Sequence, residues 1–254
     1  MDYSSAEVHI AACYSQDPSL IRYVTDSSAD MHHDLAADVF LMAPEEIAKP
    51  VRQATKGHAT FGWMYGSYYK QVAPLLWEDA EIYGLKDHLS SKGIKTYESF
   101  EKHIQGVEDV FWNERFAVHN KWRKSQYEFY KTHGYVELLN GFRCYGPMVR
   151  NATFNYPVQG SAAHCLLWGL NQVQKEIESK LERSKLICQI HDAAVFSVHP
   201  SEEAWIDKWM YEYCTQKVRE HWPWIIVPLK MEKEASEVNK SWADVISFGI
   251  LKGE

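Results

Sequence analysis

The chain has 254 residues, 46% of them hydrophobic and 24% charged, enough to bury a core in one large domain or two small ones. Its five cysteines show no CxxC spacing, so the sequence favours neither a zinc ribbon nor a disulfide framework. The formal net charge of −7 argues against an overall basic surface, so any binding of nucleic acid must depend on a local basic face.

The N-terminal residues lack the basic segment and apolar stretch of a secretion signal, and no apolar run reaches the roughly 18 residues of a membrane span. We therefore expect a protein that is neither secreted nor inserted in a membrane. The scattered cysteines are typical of a reducing cytoplasm.

In chain order, residues 2–11 are strand-like and the chain then passes into apolar residues at helical spacing, residues 30–40 form a helix, and Pro44 starts another. Residues 71–131 have helical patterns rich in charges and aromatic rings. An Asn-Gly turn at Asn140 predicts a hairpin over residues 134–145. A second hairpin is predicted over residues 186–198, with helices at 160–181 and 202–220 on either side of it.

Two aspartates occupy positions where strands begin or turn. Asp192 lies with His191 at the tip of the second hairpin, and Asp2 starts the first strand. An aspartate in a turn is by itself usually only a turn former. Two aspartates on adjacent strands, however, can share a pair of metal ions, and Mg2+ commonly takes only one or two protein carboxylates.

Several ordered motifs resemble those of family A DNA polymerases. They are Asp-Tyr-Ser-Ser-Ala-Glu-Val-His at residues 2–9, Asp30-Met-His32, Arg52-Gln-Ala-Thr-Lys56, Phe61-Gly-Trp-Met-Tyr65-Gly66, Asn155-Tyr-Pro-Val-Gln159 and Gln189-Ile-His-Asp192. The resemblance covers nearly the whole chain except residues 77–110, in the family's own order.

The resemblance implies an α+β fold, in which an antiparallel palm sheet carries both aspartates and a helical fingers subdomain is inserted between them. Residues 1–30 and 151–254 are then assigned to the palm and residues 31–150 to the fingers. The thumb and exonuclease domains of the family have no counterpart in the sequence.

The implied activity is template-directed addition of deoxynucleoside triphosphates to the 3′ end of a primer on primer–template DNA. By the resemblance, Asp2, Asp192 and the backbone carbonyl of Tyr3 bind two Mg2+ ions, with Mn2+ as an alternative. Lys56 also takes a catalytic role, as the proton donor to the leaving group.

The resemblance also assigns residues to the incoming nucleotide. Arg52 and Lys56 lie four apart on one helix face, a spacing suited to clamping a triphosphate, although in isolation they would be a solvated basic face. His32 adds a donor to the same phosphates. Phe61 packs on the sugar and base, and Glu7 forms with it the gate that rejects a 2′-hydroxyl.

The remaining assignments concern DNA. Tyr65 stacks near the templating base, although an ordinary aromatic core pair with Phe61 would have the same spacing. Asn155 and Gln159 lie four apart on a helix that we expect to begin near Pro157. Amides can read the acceptors that all base pairs share in the minor groove. His191 is placed at the primer end.

The sequence departs from the family pattern between Lys56 and Phe61, which are five residues apart instead of four. On a regular α-helix that spacing separates the two side chains by about 140°. A π-bulge within residues 57–60 would restore them to one face, and we predict one there. In addition, Ala193 stands where the family has a glutamate after the catalytic aspartate.

Because the first motif begins at Asp2, three explanations fit: a split gene, an expressed fragment or a decayed remnant. The complete set of motifs disfavours decay, and we expect a separate N-terminal polymerase chain to supply the thumb, the rest of the palm and any exonuclease domain. Two other functions remain open. A non-catalytic DNA-binding or scaffolding subunit would have no need for both aspartates. A single-subunit RNA polymerase shares the palm, but Glu7 would obstruct ribonucleotides.

Overall fold

The computed structural model describes residues 1–253. The helices are α1 (Ala6–Ser15), α2 (Pro18–Thr25), α3 (Met31–Phe40), α4 (Lys49–Thr55), α5 (Gly62–Met64), α6 (Tyr69–Ile82), α7 (Lys86–Ser91), α8 (Tyr97–Val110), α9 (Ala117–His133), α10 (Ala152–Lys180), α11 (Glu203–Tyr211) and α12 (Val218–His221). The strands are β1 (Asp2–Tyr3), β2 (Tyr135–Glu137), β3 (Arg143–Tyr145), β4 (Lys185–Ile190), β5 (Ala193–Ser197), β6 (Met231–Ala235) and β7 (Ile246–Ile250). The π-helical segments are Lys56–Phe61, Phe111–Arg115 and Glu212–Lys217.

Five of the strands form one antiparallel sheet in the order β4-β5-β1-β6-β7, and β2 pairs with β3 in a separate hairpin. Strand β1 is only two residues long, yet it lies at the centre of the larger sheet. Both predicted hairpins and the predicted α+β class with an antiparallel sheet are confirmed.

Two predicted boundaries are wrong. The chain leaves the sheet after Tyr3, because Ser5 adopts a left-handed conformation with φ of 54° and α1 then begins at Ala6. Helix α10 begins at Ala152 and not near Pro157. A proline removes one helical hydrogen bond, but the neighbouring Phe154 and Val158 are buried, and this packing carries the helix through.

The contacts divide the chain into two compact units. One contains Met1–Gln16, Gln126–Pro147 and Ala152–Glu254, and the other contains Asp17–Ser125 and Met148–Asn151. This division rests on compactness alone, so the assignment of residues 1–30 and 151–254 to a palm and 31–150 to fingers stays a prediction.

In the first unit, the long helix α10 lies at the centre of the hydrophobic core. It packs against α1, α11 and the π-helical segment Glu212–Lys217. Leu166 and Val173 of α10 meet no solvent, and neither does Ile206 of α11. Burying such side chains contributes on the order of 2 kcal/mol each, which fixes the layer of helices beside the sheet.

The second unit has an aromatic core that includes Trp63, Phe100 and Phe111. One buried acid organises two of its helices. Oδ1 of Asp17 accepts hydrogen bonds from the first backbone N–H groups of α2, and Oδ2 accepts from those of Val118 and His119 at the start of α9. A single carboxylate therefore caps two helix N-termini.

Within the described residues, no helix is both long enough and apolar enough to cross a membrane.

Candidate active site

Strand pairing brings Asp2 beside the turn that carries Asp192. Asp2 is directly opposite Ala193 across β1 and β5, and the Tyr3 N–H donates to the Asp192 carbonyl at 3.2 Å. The Ala194 N–H donates to the Met1 carbonyl at 2.7 Å. The two aspartates are almost the full chain length apart in sequence, yet backbone hydrogen bonds hold them side by side.

The carboxyl group of Asp2 lies close to the charge of Asp192. Burial raises the pKa of Asp2, the negative charge of Asp192 adds to the effect, and the pKa reaches about 6. The two side chains also share a hydrogen bond. A cation bound between the two carboxylates would favour their charged forms, since its positive charge offsets the repulsion that raises the pKa of Asp2.

The donors at this place suit Mg2+. They are two carboxylates and the backbone carbonyl of Tyr3, all hard oxygen atoms. The described residues contain no cluster of three or more His, Cys, Asp or Glu side chains that could hold a metal ion. Any ion bound at the pair must therefore complete its shell with water or substrate oxygen.

The hairpin tip has a constrained backbone. His191 has φ of 53°, a left-handed conformation that costs free energy for a residue other than glycine. The side-chain amide of Gln189 donates to the His191 carbonyl and closes the turn. His191 is exposed beside Asp192, and its placement at a primer end stays a prediction.

Asn155 and Gln159 lie on α10, four residues apart and hence on the same face. Gln159 is exposed, whereas Asn155 is half-buried. Glu7 lies in the first turn of α1 and is half-buried. These three residues and the aspartate pair belong to the first unit.

The predicted nucleotide residues of the second unit lie together around a π-helix. Residues Lys56–Phe61 form that π-helix, so the predicted bulge is confirmed. The Lys56 ammonium lies 5.5 Å from the centroid of the Phe61 ring, and the ring stacks on Tyr65 at 6.0 Å with an interplanar angle of 25°. The extra residue thus leaves Lys56 and Phe61 on one side.

Arg52 is held by an acid that the sequence assigned no role. Its Nε and Nη2 donate to the two carboxylate oxygens of Asp30 at 2.7 and 3.1 Å. The same carboxylate caps α3 by accepting from the backbone N–H groups of His32 and His33. Asp30 therefore orients Arg52 from the N-terminus of α3.

His32 is buried beside these cations. Burial lowers its pKa, the positive charges of Arg52 and Lys56 lower it further, and the pKa falls to about 4. The ring is thus neutral at pH 7. Nδ1 lies 3.2 Å from the Thr60 hydroxyl, and the ring centroid lies 5.8 Å from that of Phe61.

Sequence reasoning missed three contacts that support these residues. They are the Asp30–Arg52 pair, the His32–Thr60 hydrogen bond, and a hydrogen bond from the Tyr3 hydroxyl to the Cys214 carbonyl. An aspartate immediately before a helix is a known capping signal, so Asp30 could have been found as the cap of α3. Its arginine partner carries no sequence signal.

The same arrangement of helices and strands occurs in a solved polymerase structure. The POL domain of Pol1 from M. smegmatis, in a complex with DNA primer-template and dNTP, matches this chain with a TM-score of 0.61 and 24% sequence identity. The match covers 89% of this chain and 37% of that one. It defines the fold as that of a polymerase domain.

The family model of DNA polymerase family A matches residues 1–244, and the chain belongs to that family. DNA polymerase I of Bacillus subtilis is 26% identical over 254 residues, covering 96% of this chain and 25% of the relative. The DNA polymerase of Bacillus phage SP01 is 27% identical over 213 residues, covering 80% of this chain and 21% of the relative. The chain thus spans about a quarter of the length of these relatives.

Proposed function

We propose that this chain carries the catalytic centre of a DNA-directed DNA polymerase. It adds deoxynucleotides to the 3′ end of a primer paired with a template, releases pyrophosphate, and acts on DNA in a bacterial or phage-infected cytoplasm. One observation carries the proposal: in a member of DNA polymerase family A, strand pairing sets Asp2 beside Asp192, and burial together with the negative charge of Asp192 raises the pKa of Asp2.

Asp2, Asp192 and the Tyr3 carbonyl would hold two Mg2+ ions, or Mn2+ in their place. When bound, such ions activate the attacking hydroxyl and neutralise charge on the leaving phosphates. Strand pairing holds Asp2 on β1 beside the turn that carries Asp192 before substrate arrives, so little reorganisation is needed. Ala193 follows Asp192 in place of a third acid, which leaves the two aspartates as the carboxylate ligands.

The second unit supplies groups for the incoming nucleotide. Lys56 stands beside the Phe61 ring and contributes a cation to the triphosphate and a proton to the leaving pyrophosphate. Arg52 keeps N–H donors beyond the two that Asp30 engages, and these serve the phosphates. His32, neutral at pH 7, contributes a hydrogen bond and no charge.

Selectivity and DNA binding follow from the remaining residues. In the first unit, Glu7 serves as the gate against a 2′-hydroxyl. In the second unit, Phe61 serves the sugar and base and Tyr65 the templating base. Asn155 and Gln159 present amides to the minor groove, where amides meet acceptors common to all base pairs. His191 touches the primer end from the hairpin tip.

We further propose a separate N-terminal polypeptide that supplies the thumb and the rest of the palm. One observation supports it: the edge strands of the sheet expose apolar side chains, with Ile187 of β4 58% and Phe248 of β7 60% exposed. Exposed apolar edges are typical of surfaces that pair with another chain.

Primer extension tests the proposal. The chain, alone and co-expressed with the product of the adjacent reading frame, is given a labelled primer–template, Mg2+ and deoxynucleotides. We expect extension by the wild type and a loss of at least about a thousandfold for Asp192→Asn, since electrostatic stabilisation at the reacting centre is removed.

Further results test the sugar selectivity, the role of the carboxylate pair and the need for a separate polypeptide. Glu7→Ala should raise ribonucleotide incorporation relative to deoxynucleotide incorporation. Equal extension by the wild type and Asp192→Asn would show that the carboxylate pair is not catalytic, and extension at full rate by the isolated chain would exclude the separate polypeptide.

A further inference from the structure

Tyr3 connects the strand of the carboxylate pair to the helical layer behind it. The residue is only 3% exposed, and its hydroxyl donates to the backbone carbonyl of Cys214 at 2.6 Å. Its own N–H binds the Asp192 carbonyl, and it directly follows Asp2. The backbone of Tyr3 is therefore joined to both aspartates, by the peptide bond to Asp2 and by the hydrogen bond to Asp192. Its side chain binds a segment more than 200 positions away in the sequence.

The acceptor lies in the π-helical segment Glu212–Lys217. There the N–H of Val218 reaches the carbonyl of Tyr213, five residues earlier, instead of the four of an α-helix. This change of register interrupts the α-helical ladder, and a carbonyl within it takes a partner from outside the helix. For Cys214 that partner is the Tyr3 hydroxyl.

Helix α10 packs against the π-helical segment and prevents it from moving away from Tyr3. Cys214 is completely buried, and Gly169 of α10 lies against it. A Cβ placed on Gly169 would lie 2.5 Å from the Cys214 Sγ and 3.2 Å from its Cα. Because α10 touches the backbone of the segment, the acceptor carbonyl is held at a fixed depth behind β1.

We propose that the Tyr3 hydroxyl is a positioning group for the carboxylate pair. By binding the Cys214 carbonyl it sets the depth of β1, and so places the Asp2 carboxylate and the Tyr3 carbonyl against Asp192. A strand of two residues has few ladder hydrogen bonds of its own, so this side-chain bond substitutes for strand length. The inference rests on the proposed polymerase function and deepens it.

A second tyrosine provides a matched comparison. Tyr14 lies on α1 in the same unit, its hydroxyl is 2.9 Å from the Ser161 hydroxyl and 3.2 Å from the Pro157 carbonyl, and it accepts from the Leu139 N–H. Tyr14 thus makes hydrogen bonds of the same kind, but it does not lie on the strand of the carboxylate pair. Its loss should cost stability without moving the acids.

The experiment compares Tyr3→Phe with Tyr14→Phe in the complex used for primer extension. We expect both to lower the melting temperature by about 2 to 6 °C, since each loses hydrogen bonds in the interior. Only Tyr3→Phe should raise the Mg2+ concentration at half-maximal rate, by at least about threefold, and lower kcat about tenfold with KM for the nucleotide unchanged.

Amide hydrogen exchange gives a readout that does not depend on activity. The N–H groups at positions 3 and 4 donate to the carbonyls of Asp192 and Lys230, and Tyr3→Phe should speed their exchange at least about threefold, whereas Tyr14→Phe should not. Wild-type exchange at these amides in Tyr3→Phe, or an equal Mg2+ response of both variants, would overturn the inference.

Asp192→Asn, run beside them, separates this inference from the proposed function. If neither the wild type nor that variant extends primers, the polymerase proposal fails, and if both extend them equally, the carboxylate pair is not catalytic; in either case exchange at positions 3 and 4 still decides whether Tyr3 anchors β1. If Asp192→Asn is inactive and Tyr3→Phe matches the wild type in Mg2+ dependence, the polymerase proposal stands and the anchor is wrong.

Discussion

The carboxylate of Asp30 caps the N-terminus of α3 and also binds the guanidinium of Arg52 through two hydrogen bonds, an arrangement called here the Asp30–Arg52 fork. It accepts from two backbone N–H groups and from two nitrogens of Arg52. Charge-assisted paired bonds are stronger than neutral ones. The side chains of Arg52 and Asp30 are, however, 28% and 39% exposed, so solvent screening limits what the pair contributes to stability.

A double-mutant cycle measures that contribution. Asp30→Asn keeps an acceptor for the cap, and Arg52→Gln removes the guanidinium, so the two changes together isolate the charge pair. We expect a coupling free energy of about 1 kcal/mol from urea unfolding of the four proteins. Strict additivity of the two substitutions would mean that the fork orients Arg52 without stabilising the fold.

A buried histidine makes the second unit sensitive to acid. Burial, followed by the positive charge of Arg123, lowers the pKa of His119 to about 3. Its Nδ1 is buried without a hydrogen-bond partner. In the unfolded chain a histidine has a pKa of about 6.5, so between about pH 6.5 and pH 3 the unfolded chain binds a proton that the folded chain rejects.

The free energy of unfolding should therefore fall as the pH falls through this window. By linkage, His119 alone accounts for about 1.4 kcal/mol of loss between pH 7.5 and 5.5. His119→Asn should unfold with a shallower dependence on pH over that range, measured by urea titrations at each pH. Identical slopes for the two proteins would show that His119 is not the acid-sensitive group.

Among the secondary-structure elements, the π-helix Lys56–Phe61 shows how an extra residue is absorbed. A regular α-helix would turn Lys56 and Phe61 about 140° apart, yet the ammonium lies 5.5 Å from the ring centroid. The extra residue widens one turn and leaves the flanking helices in register. Gly57 lies in that turn, and a Cβ built on it meets no atom within 4 Å.

Deleting Gly57 should convert the π-helix to an α-helix. Lys56 and Phe61 would then be four apart and about 40° from each other, so we expect a melting temperature within about 5 °C of the wild type and retained primer extension. Inserting an alanine after Gly57 is the control, because it adds a second extra residue that the turn must absorb. Loss of folding on deletion but not on insertion would contradict this account.

At the scale of the whole molecule, the sheet ends in two apolar edges. Ile187 on β4 and Ile246, Phe248 and Ile250 on β7 are all exposed, and both strands have one unpaired side within the described residues. Strand β7 also lies beyond the family match, which ends at residue 244. Such edges associate with other chains unless they are covered.

The purified chain should therefore self-associate in a concentration-dependent way when no partner covers the edges. Ile187→Lys should weaken association in sedimentation experiments while leaving the melting temperature within about 2 °C, since an exposed side chain contributes little to the fold. Val149→Lys places the same charge on an exposed apolar residue that is not part of the sheet and should not weaken association. Equal effects of both substitutions would exclude the β4 edge as the contact.

Local patterns were enough to predict much of this protein. The Asn140 turn and the polar tip at Asp192 predicted the hairpins, because turn chemistry acts over a few residues. The spacing from Lys56 to Phe61 predicted the π-helix, since helical geometry fixes where each side chain points. The motifs from Asp2 to Asp192 were sufficient to predict the family and the α+β class.

Only the tertiary structure decided how these pieces support one another. The boundary at Ser5 and the passage of α10 through Pro157 depend on packing, which overrides local preference. The fork between Asp30 and Arg52 and the bond from Tyr3 to Cys214 join residues far apart in sequence, where no periodic pattern exists. The sequence by itself determined which chemical groups are present. The pairing of distant segments decided which of these groups are in contact, because contacts between distant residues depend on the path of the whole chain.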